Sequence, residues 1–290
     1  MKNSYANKHI LVTGGSSGIG LAVAKLAASQ GANLSILGRR MEVLEQAQQE
    51  ILQARTADTF VQILSADVSQ EDEIHAALSS LITDRGLPDV VVNCAGVTHP
   101  GEFHELSTDI FRWNMDINYF GTVYVLKTLV PGMITRGSGL IINISSGVGL
   151  FNIWGYSAYG ASKYAVNGLS EALRMELKPR GIQVSVVIPA DTDTPQLAYE
   201  NQFKPEITRQ INQVAGLLKP EQVAKDILTQ AARGKYLILP GGDVKFLYIL
   251  LRILGRSMFY AYFDGMVRRA FKHRPGTEPG FGGQDQSGPD

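Results

Sequence analysis

The chain is poor in several features that would narrow its function. It has a single cysteine, Cys94, among 290 residues. No intrachain disulfide can form, and nothing in the cysteine usage points to an oxidising compartment. It has no excess of charge, with 27 Lys and Arg against 27 Asp and Glu. That balance argues against nucleic acid as a partner, since binding phosphates takes a surplus of cations. No secretory leader is legible: Met1 to Lys8 is polar, and the apolar Ile10-Leu11-Val12 that follows is too short. The expected location is cytoplasmic. No metal site is expected, because His99 and His104 have no ligand partners at a suitable spacing. Internal repeats are missing too. Apolar residues are abundant, 44% against 19% charged, which supports a sizeable core and excludes wholesale disorder.

The apolar residues fall into an alternation. Short β-branched runs at 9–13, 33–37, 60–65, 90–93, 140–145, 183–188 and 236–239 read as strands. Longer helical patterns occupy 18–30, 40–54, 70–83, 108–134, 159–178 and 220–232. Repeated strand–helix–strand units predict an α/β, doubly wound, Rossmann-type parallel sheet of about seven strands with helices on both faces. One domain is expected over residues 1–240, with 191–219 as a long lid-like connection inside it. Residues 241–274 form an apolar, basic, amphipathic extension, and the Gly/Pro-rich acidic 275–290 are expected to be a disordered tail.

Thr13-Gly14-Gly15-Ser16-Ser17-Gly18-Ile19-Gly20 follows the first strand and opens the first helix. Glycines allow the tight turn and close approach of backbone to a pyrophosphate, and the helix N-terminus offers it free N–H groups. No Gly-Lys-Ser/Thr follows, so a nucleoside-triphosphate loop is disfavoured. The plain alternative is an ordinary glycine turn, but the strand before and the helix after favour a dinucleotide. At the end of the second strand comes Leu37-Gly38-Arg39-Arg40, with no acid before Glu42. Arg39 and Arg40 suit a 2′-phosphate, which favours NADPH over NADH.

Tyr159 and Lys163 are four apart, on one face of a helix. A tyrosine titrates near pH 10 in water, and a neighbouring ammonium favours its phenolate. A bare Tyr-x-x-x-Lys is common by chance; its place after the fifth strand, where ligands bind in such folds, gives it weight. Ser145 and Ser146 end that strand, and either hydroxyl could hold a carbonyl oxygen or simply turn the chain. Asn118 lies inside a helical stretch at some propensity cost, consistent with a structural or a relay role.

Together these residues resemble the short-chain dehydrogenase/reductase family over about 8–240. Thr13 to Gly20 matches its glycine loop and Asp67-Val68 the element beside the adenine. Asn93-Cys94-Ala95-Gly96 matches its NNAG element, with Cys94 in place of one Asn. Asn118, Ser146, Tyr159 and Lys163 match its catalytic tetrad, with Ser146 rather than Ser145 at the family's spacing. The resemblance implies Tyr159 as proton donor, Ser146 as holder of the carbonyl oxygen, and Lys163 as ribose ligand and depressor of the Tyr159 pKa. It also implies a water held at Asn118. Gly14, Ser16, Ser17, Gly18, Ile19, Gly20, Arg39, Arg40, Asp67, Val68, Asn93, Ala95, Gly96, Pro189, Thr192 and Thr194 become the candidate dinucleotide residues, with Tyr159 and Lys163.

A finer resemblance lies after the sixth strand, in Pro189-Ala190-Asp191-Thr192-Asp193-Thr194-Pro195, Glu200 to Pro205 and Lys219 to Lys225. This succession is similar to the 3-ketodihydrosphingosine reductase branch, which reduces a long-chain 2-amino-3-ketone with NADPH. Animal members of that branch carry an N-terminal hydrophobic segment that is not seen here. Reductases of hydroxysteroids or 3-oxoacyl chains remain alternatives, as does a non-catalytic NADP sensor. If the substrate is a sphingoid ketone, Asp191 or Asp193 is expected to attract its amine, unless both only bond loop N–H groups. Phe151 and Trp154 could line its alkyl chain or belong to the ordinary core. From 245 to 274 there are seven Lys and Arg against one acid, Asp264. Arg252 and Arg256 interrupt the apolar run, so it reads as a helix on an anionic membrane surface or as a packed dimer or core helix. The family pattern implies a homodimer or homotetramer built on 108–134 and 159–178.

Overall fold

The computed structural model describes residues 4–56, 58–212 and 216–272; the expected tail at 275–290 lies outside them. Seven strands form one sheet: β1 (His9–Thr13), β2 (Asn33–Gly38), β3 (Val61–Ser65), β4 (Val90–Asn93), β5 (Gly139–Ile144), β6 (Ile182–Val187) and β7 (Leu237–Ile238). Their order is β3-β2-β1-β4-β5-β6-β7, and each pair is parallel. The strands are short runs of Val, Ile and Leu because both faces are covered. Ile10, Val12, Leu34, Ile36, Val92 and Ile142 enter one buried cluster, while Leu11, Val91, Ile141 and Val184 enter the other. The period of two thus feeds two cores at once.

Helices α1 (Gly18–Ala28), α2 (Met41–Ala54) and α3 (Glu71–Arg85) return the chain between the first four strands. The single helix expected over 108–134 is interrupted. It comprises α4 (Thr108–Met115), a π-helical turn at Asp116–Phe120 and α5 (Gly121–Arg136). One extra residue per turn rotates Asn118 out of an α-helical register, a distortion that recurs at functional sites. Then come α6 (Ser157–Leu177), α7 (Pro195–Phe203), α8 (Glu206–Asn212) and α9 (Pro220–Ala231). The long connection expected at 191–219 therefore contains two helices. It is closed at its base by a bridge between Thr192 and Leu218, with Asp193 N–H donating to Leu218 O and Leu218 N–H to Asp191 O, each at 2.9 Å.

The C-terminal extension is helical, α10 (Asp243–Lys272), but broken at Gly255, whose φ of 73° and ψ of 164° lie outside the helical region. Only glycine takes that conformation cheaply. Phe151 packs against Phe259, Tyr260 and Phe263 of the second half, with ring centroids 5.0–5.7 Å apart. Arg256 donates to the Leu150 carbonyl at 3.2 Å and sits over the Tyr164 ring. Phe246, Ile249, Ile253, Leu254, Met258, Tyr260 and Tyr262 are exposed.

Candidate active site

The strand order reverses between β1 and β4, so the loops after these strands diverge and leave a crevice at their carboxyl ends. The Thr13 hydroxyl accepts from the N–H groups of Cys94 and Ala95, both at 3.1 Å, and pins the two loops together. Gly14 has φ +64°, and a Cβ there would come within 2.8 Å of the Ala95 Cα. Gly18 has φ +52°, and a Cβ there would reach the Thr194 methyl at 3.0 Å. The glycine loop therefore meets both the loop after β4 and the one after β6. The N-terminus of α1 has no side-chain cap at Ser17 and no acid in its first turn, so its N–H groups and partial positive charge face the crevice. Ile19 is half-buried and Gly20 buried in the first turn of α1. These residues fit the pyrophosphate of a nicotinamide dinucleotide.

At the adenosine end, Ser16 lies beside Gly38, whose added Cβ would be 3.4 Å from the Ser16 hydroxyl. Arg39 follows, half-exposed and 3.7 Å from the Asp67 carboxylate, and Arg40 is exposed at the start of α2. Asp67 accepts from the Ser69 N–H and hydroxyl. Val68 is buried against Gly121. The Asn93 amide donates to Asn143, which donates to the Ser170 hydroxyl. Its side chain thus stitches β4 to β5 and α6.

Lys163 is 5% exposed and donates to the Ile144 carbonyl at 3.1 Å. Burial lowers its pKa to about 8. Asn118 donates to Val97 O at 2.9 Å and accepts from Val97 N–H at 2.8 Å, and also donates to the Ser162 hydroxyl. Gly96 lies under both, since a Cβ there would meet the Asn118 oxygen at 3.1 Å and the Lys163 nitrogen at 3.4 Å. Ser145 is buried and donates to the Lys163 carbonyl at 3.2 Å, whereas Ser146 is half-buried and hydrogen-bonds toward the Tyr159 hydroxyl. The structure thus separates the two serines, which the bare sequence left open. The Lys163 ammonium is 5.5 Å from the Tyr159 ring centroid. The Tyr159 pKa is pushed up, first by burial and then by the charge of Glu200, against downward pulls from Ser146 and Gln196. The expected depression by Lys163 is not seen: burial, which acts on the phenolate itself, sets the direction.

On the substrate side, Pro189 O accepts from Gly147 N–H. Thr192 is buried and donates to Ala190 O. Thr194 caps α7 by accepting from Leu197 N–H. Asp193 is exposed, while Asp191 is 3.7 Å from Lys204. The Trp154 carbonyl accepts from Thr208 on α8, so the segment between Ser146 and Tyr159 is clasped by α8 on one side and α10 on the other. Phe151 is 6% exposed and packed under α10, not a bare wall of the cleft.

Three residues without an expected role stand here. Glu200 is 7% exposed, accepts from the Tyr156 hydroxyl at 3.3 Å and lies 3.4 Å from Lys204. The Tyr156 and Tyr159 rings are 6.0 Å apart. The i,i+4 spacing of Glu200 and Lys204 was the available signal. Among the described residues, no group of three or more His, Cys, Asp or Glu is arranged to hold a metal.

A dinucleotide cradle at a switch point, facing a buried Tyr–Lys pair and a serine, is the site of a nicotinamide-dependent oxidoreductase. Residues 8–205 match the short chain dehydrogenase family model, and the chain belongs to that family. It is similar to a protein of Bos taurus named 3-ketodihydrosphingosine reductase, with 40% identity over 237 residues, covering 81% of this chain and 71% of that protein. A protein of the same name from Dictyostelium discoideum is 36% identical over 272 residues, covering 89% and 81%. Among solved structures, levodione reductase superposes with a TM-score of 0.76 at 26% identity, covering 83% of this chain and 99% of that one.

Proposed function

We propose that the chain reduces the ketone of 3-ketodihydrosphingosine to the alcohol, with NADPH as reductant. A bound nicotinamide supplies the hydride. Tyr159 gives its phenolic proton to the carbonyl oxygen, and Ser146 holds that oxygen. Lys163 bonds the nicotinamide ribose and keeps a positive charge beside the phenolate that forms. Asn118 fixes the loop after β4 and carries the water through which the proton is replaced. The observation that carries the reading is the convergence of Tyr159, Ser146 and Lys163 opposite the glycine loop, in a chain whose relatives bear that substrate in their names. The preference for NADPH rests on Arg39 and Arg40, which directly follow β2 where an acid would select NADH.

The product and substrate are lipids. Residues Val244–Arg269 are long and apolar enough to cross a membrane by composition, but Gly255 breaks them into two helices and arginines stand along both. We place this extension on an anionic membrane surface, with the exposed apolar side chains of α10 dipping into it. The exposed Phe120, stacked on Tyr124, supports self-association through α4–α5 as a dimer or tetramer.

The test is NADPH oxidation with detergent-dispersed 3-ketodihydrosphingosine, with NADH and a short ketone as controls, in wild type and Tyr159→Phe. Turnover specific to the sphingoid ketone and NADPH, lowered at least about a hundredfold by Tyr159→Phe with NADPH binding intact, supports the reading. Turnover of other carbonyls alone removes the substrate and keeps the chemistry. Binding without turnover of any carbonyl leaves a sensor.

A further inference from the structure

Residues 8–205 match the family model, and α10 lies outside them, yet it reaches back to the segment that follows Ser146. That segment is one hydrogen-bonded turn. Ser146 O accepts from Gly149 N–H at 2.9 Å, and Gly147 O accepts from Leu150 N–H at 3.0 Å and Phe151 N–H at 3.2 Å. A shift at Leu150 or Phe151 is therefore passed back to Ser146. Helix α6 holds part of the turn, with Tyr164 donating to Leu150 O at 2.7 Å and Asn167 to Gly149 O at 2.9 Å. Helix α10 holds it at three further places. Val244, 6% exposed, belongs to the buried cluster against which Leu150 packs. Arg256, the first residue after the break at Gly255, brings a second donor to Leu150 O. Phe259, 7% exposed, Tyr260 and Phe263 cover the Phe151 ring. A helix that only met a lipid surface would keep its aromatic rings for the lipid.

We propose that the second half of α10 is a strap that positions Ser146, with Arg256 and Phe259 as positioning residues that act through Leu150 and Phe151. The Ser146 hydroxyl has to stand within hydrogen-bond reach of the substrate oxygen while it bonds toward Tyr159. The turn behind it contains Gly147 and Gly149, which by themselves restrict the backbone little. Contacts from outside the turn therefore set its shape, and α10 supplies those that α6 does not. The proposal rests on the ketone-reductase reading above, since it takes Ser146 as the group that holds the carbonyl oxygen.

The experiment is a double-mutant cycle on the single-turnover rate constant, with the full chain in excess, NADPH saturating and 3-ketodihydrosphingosine dispersed in detergent. Excess enzyme keeps slow variants measurable. Arg256→Ala with Phe259→Ala loosens the strap, and Ser146→Ala removes the group on which it acts. With Ser146 present, loosening the strap lowers the rate constant at least about tenfold, since small displacements of a reacting group are costly. NADPH affinity stays as in wild type. With Ser146→Ala, loosening the strap lowers the rate constant less than about twofold further, because effects that act through one group do not add. Arg256→Ala alone removes an exposed side chain and gives the same pattern at smaller size, which serves if the double change unfolds the chain. The same fold-loss in both backgrounds marks a general defect or a change in lipid capture and overturns the proposal. A rate constant unchanged by loosening the strap overturns it too. A wild type that is active but indifferent to Ser146→Ala overturns it and keeps the reductase reading. A wild type that reduces no ketone overturns both.

Discussion

The two ends of the crevice are built differently. At the dinucleotide end, recognition is done by backbone: glycines at positive φ, a helix N-terminus and a threonine hydroxyl that joins two loops. The glycines and the helix start belong to one stretch of a few residues, and only the threonine bond reaches far, across 81 positions. At the substrate end, the site is held together by side chains from distant segments. The Tyr156–Glu200 bond spans 44 positions and the Arg256–Leu150 bond spans 106. Backbone recognition suits a cofactor whose pyrophosphate is constant. Side chains drawn together from distant segments suit a substrate that must be told from similar carbonyls.

Three variants would break or sharpen this contrast. The largest effect is expected on the exposed apolar face of α10, which we propose meets the membrane. Ile249 and Ile253 are 46% and 73% exposed, so Ile249→Asp with Ile253→Asp leaves the core alone. Each lost insertion costs about 1.5–3 kcal/mol, so flotation with anionic vesicles falls at least about a hundredfold while NADPH binding persists. Flotation equal to wild type would assign α10 to packing between subunits.

Next is Gly14→Ala. A side chain at φ +64° against the Ala95 backbone costs about 1–3 kcal/mol of strain and displaces the loop. Dinucleotide affinity should fall at least about tenfold by fluorescence titration. Retained affinity would mean that the loop does not need its present shape.

The smallest effect is on stability at Lys163, and its sign is opposite to its effect on activity. Burial lowers this lysine from 10.5 to about 8, so at neutral pH the unfolded chain holds its proton more readily than the folded one. The cost is fully present below pH 8 and fades between pH 8 and 10.5 as the unfolded chain also loses the proton. It is about 3 kcal/mol at most, offset in part by the hydrogen bond to Ile144. Lys163→Met should therefore abolish turnover yet stabilise the cofactor-free chain by about 1–2 kcal/mol at pH 7, and by less at pH 10. The check is thermal unfolding at both pH values; a destabilised variant at pH 7 would contradict it.

The strands and most of the helices were legible because a residue's neighbours in a β-strand or helix are its neighbours in sequence, and burial imprints its period there. His9–Thr13 and Val90–Asn93 stand where the apolar runs put them. The break of the 108–134 helix was not legible, because the π-helical turn is stabilised by Asn118 bonding across to Val97, a contact the periodicity does not encode. Nor could the sequence choose between Ser145 and Ser146 without the resemblance: both end the same strand, and only the packing of α6 decides which hydroxyl is enclosed. Asp191 and Asp193 looked alike for the same reason, and the buried Lys204, 3.7 Å from Asp191, distinguishes that residue from the exposed Asp193.

By itself, then, the sequence determined the doubly wound sheet, the glycine loop at its first turn and the Tyr159–Lys163 pair, all written in spacings of two to seven residues. Tertiary structure alone decided what surrounds the phenol: that Glu200 and Lys204 come to lie buried beside Tyr156, and that α10 closes over Phe151. Electrostatics and apolar packing act on whatever is near in space, and the folded chain, not the order of its residues, sets that distance.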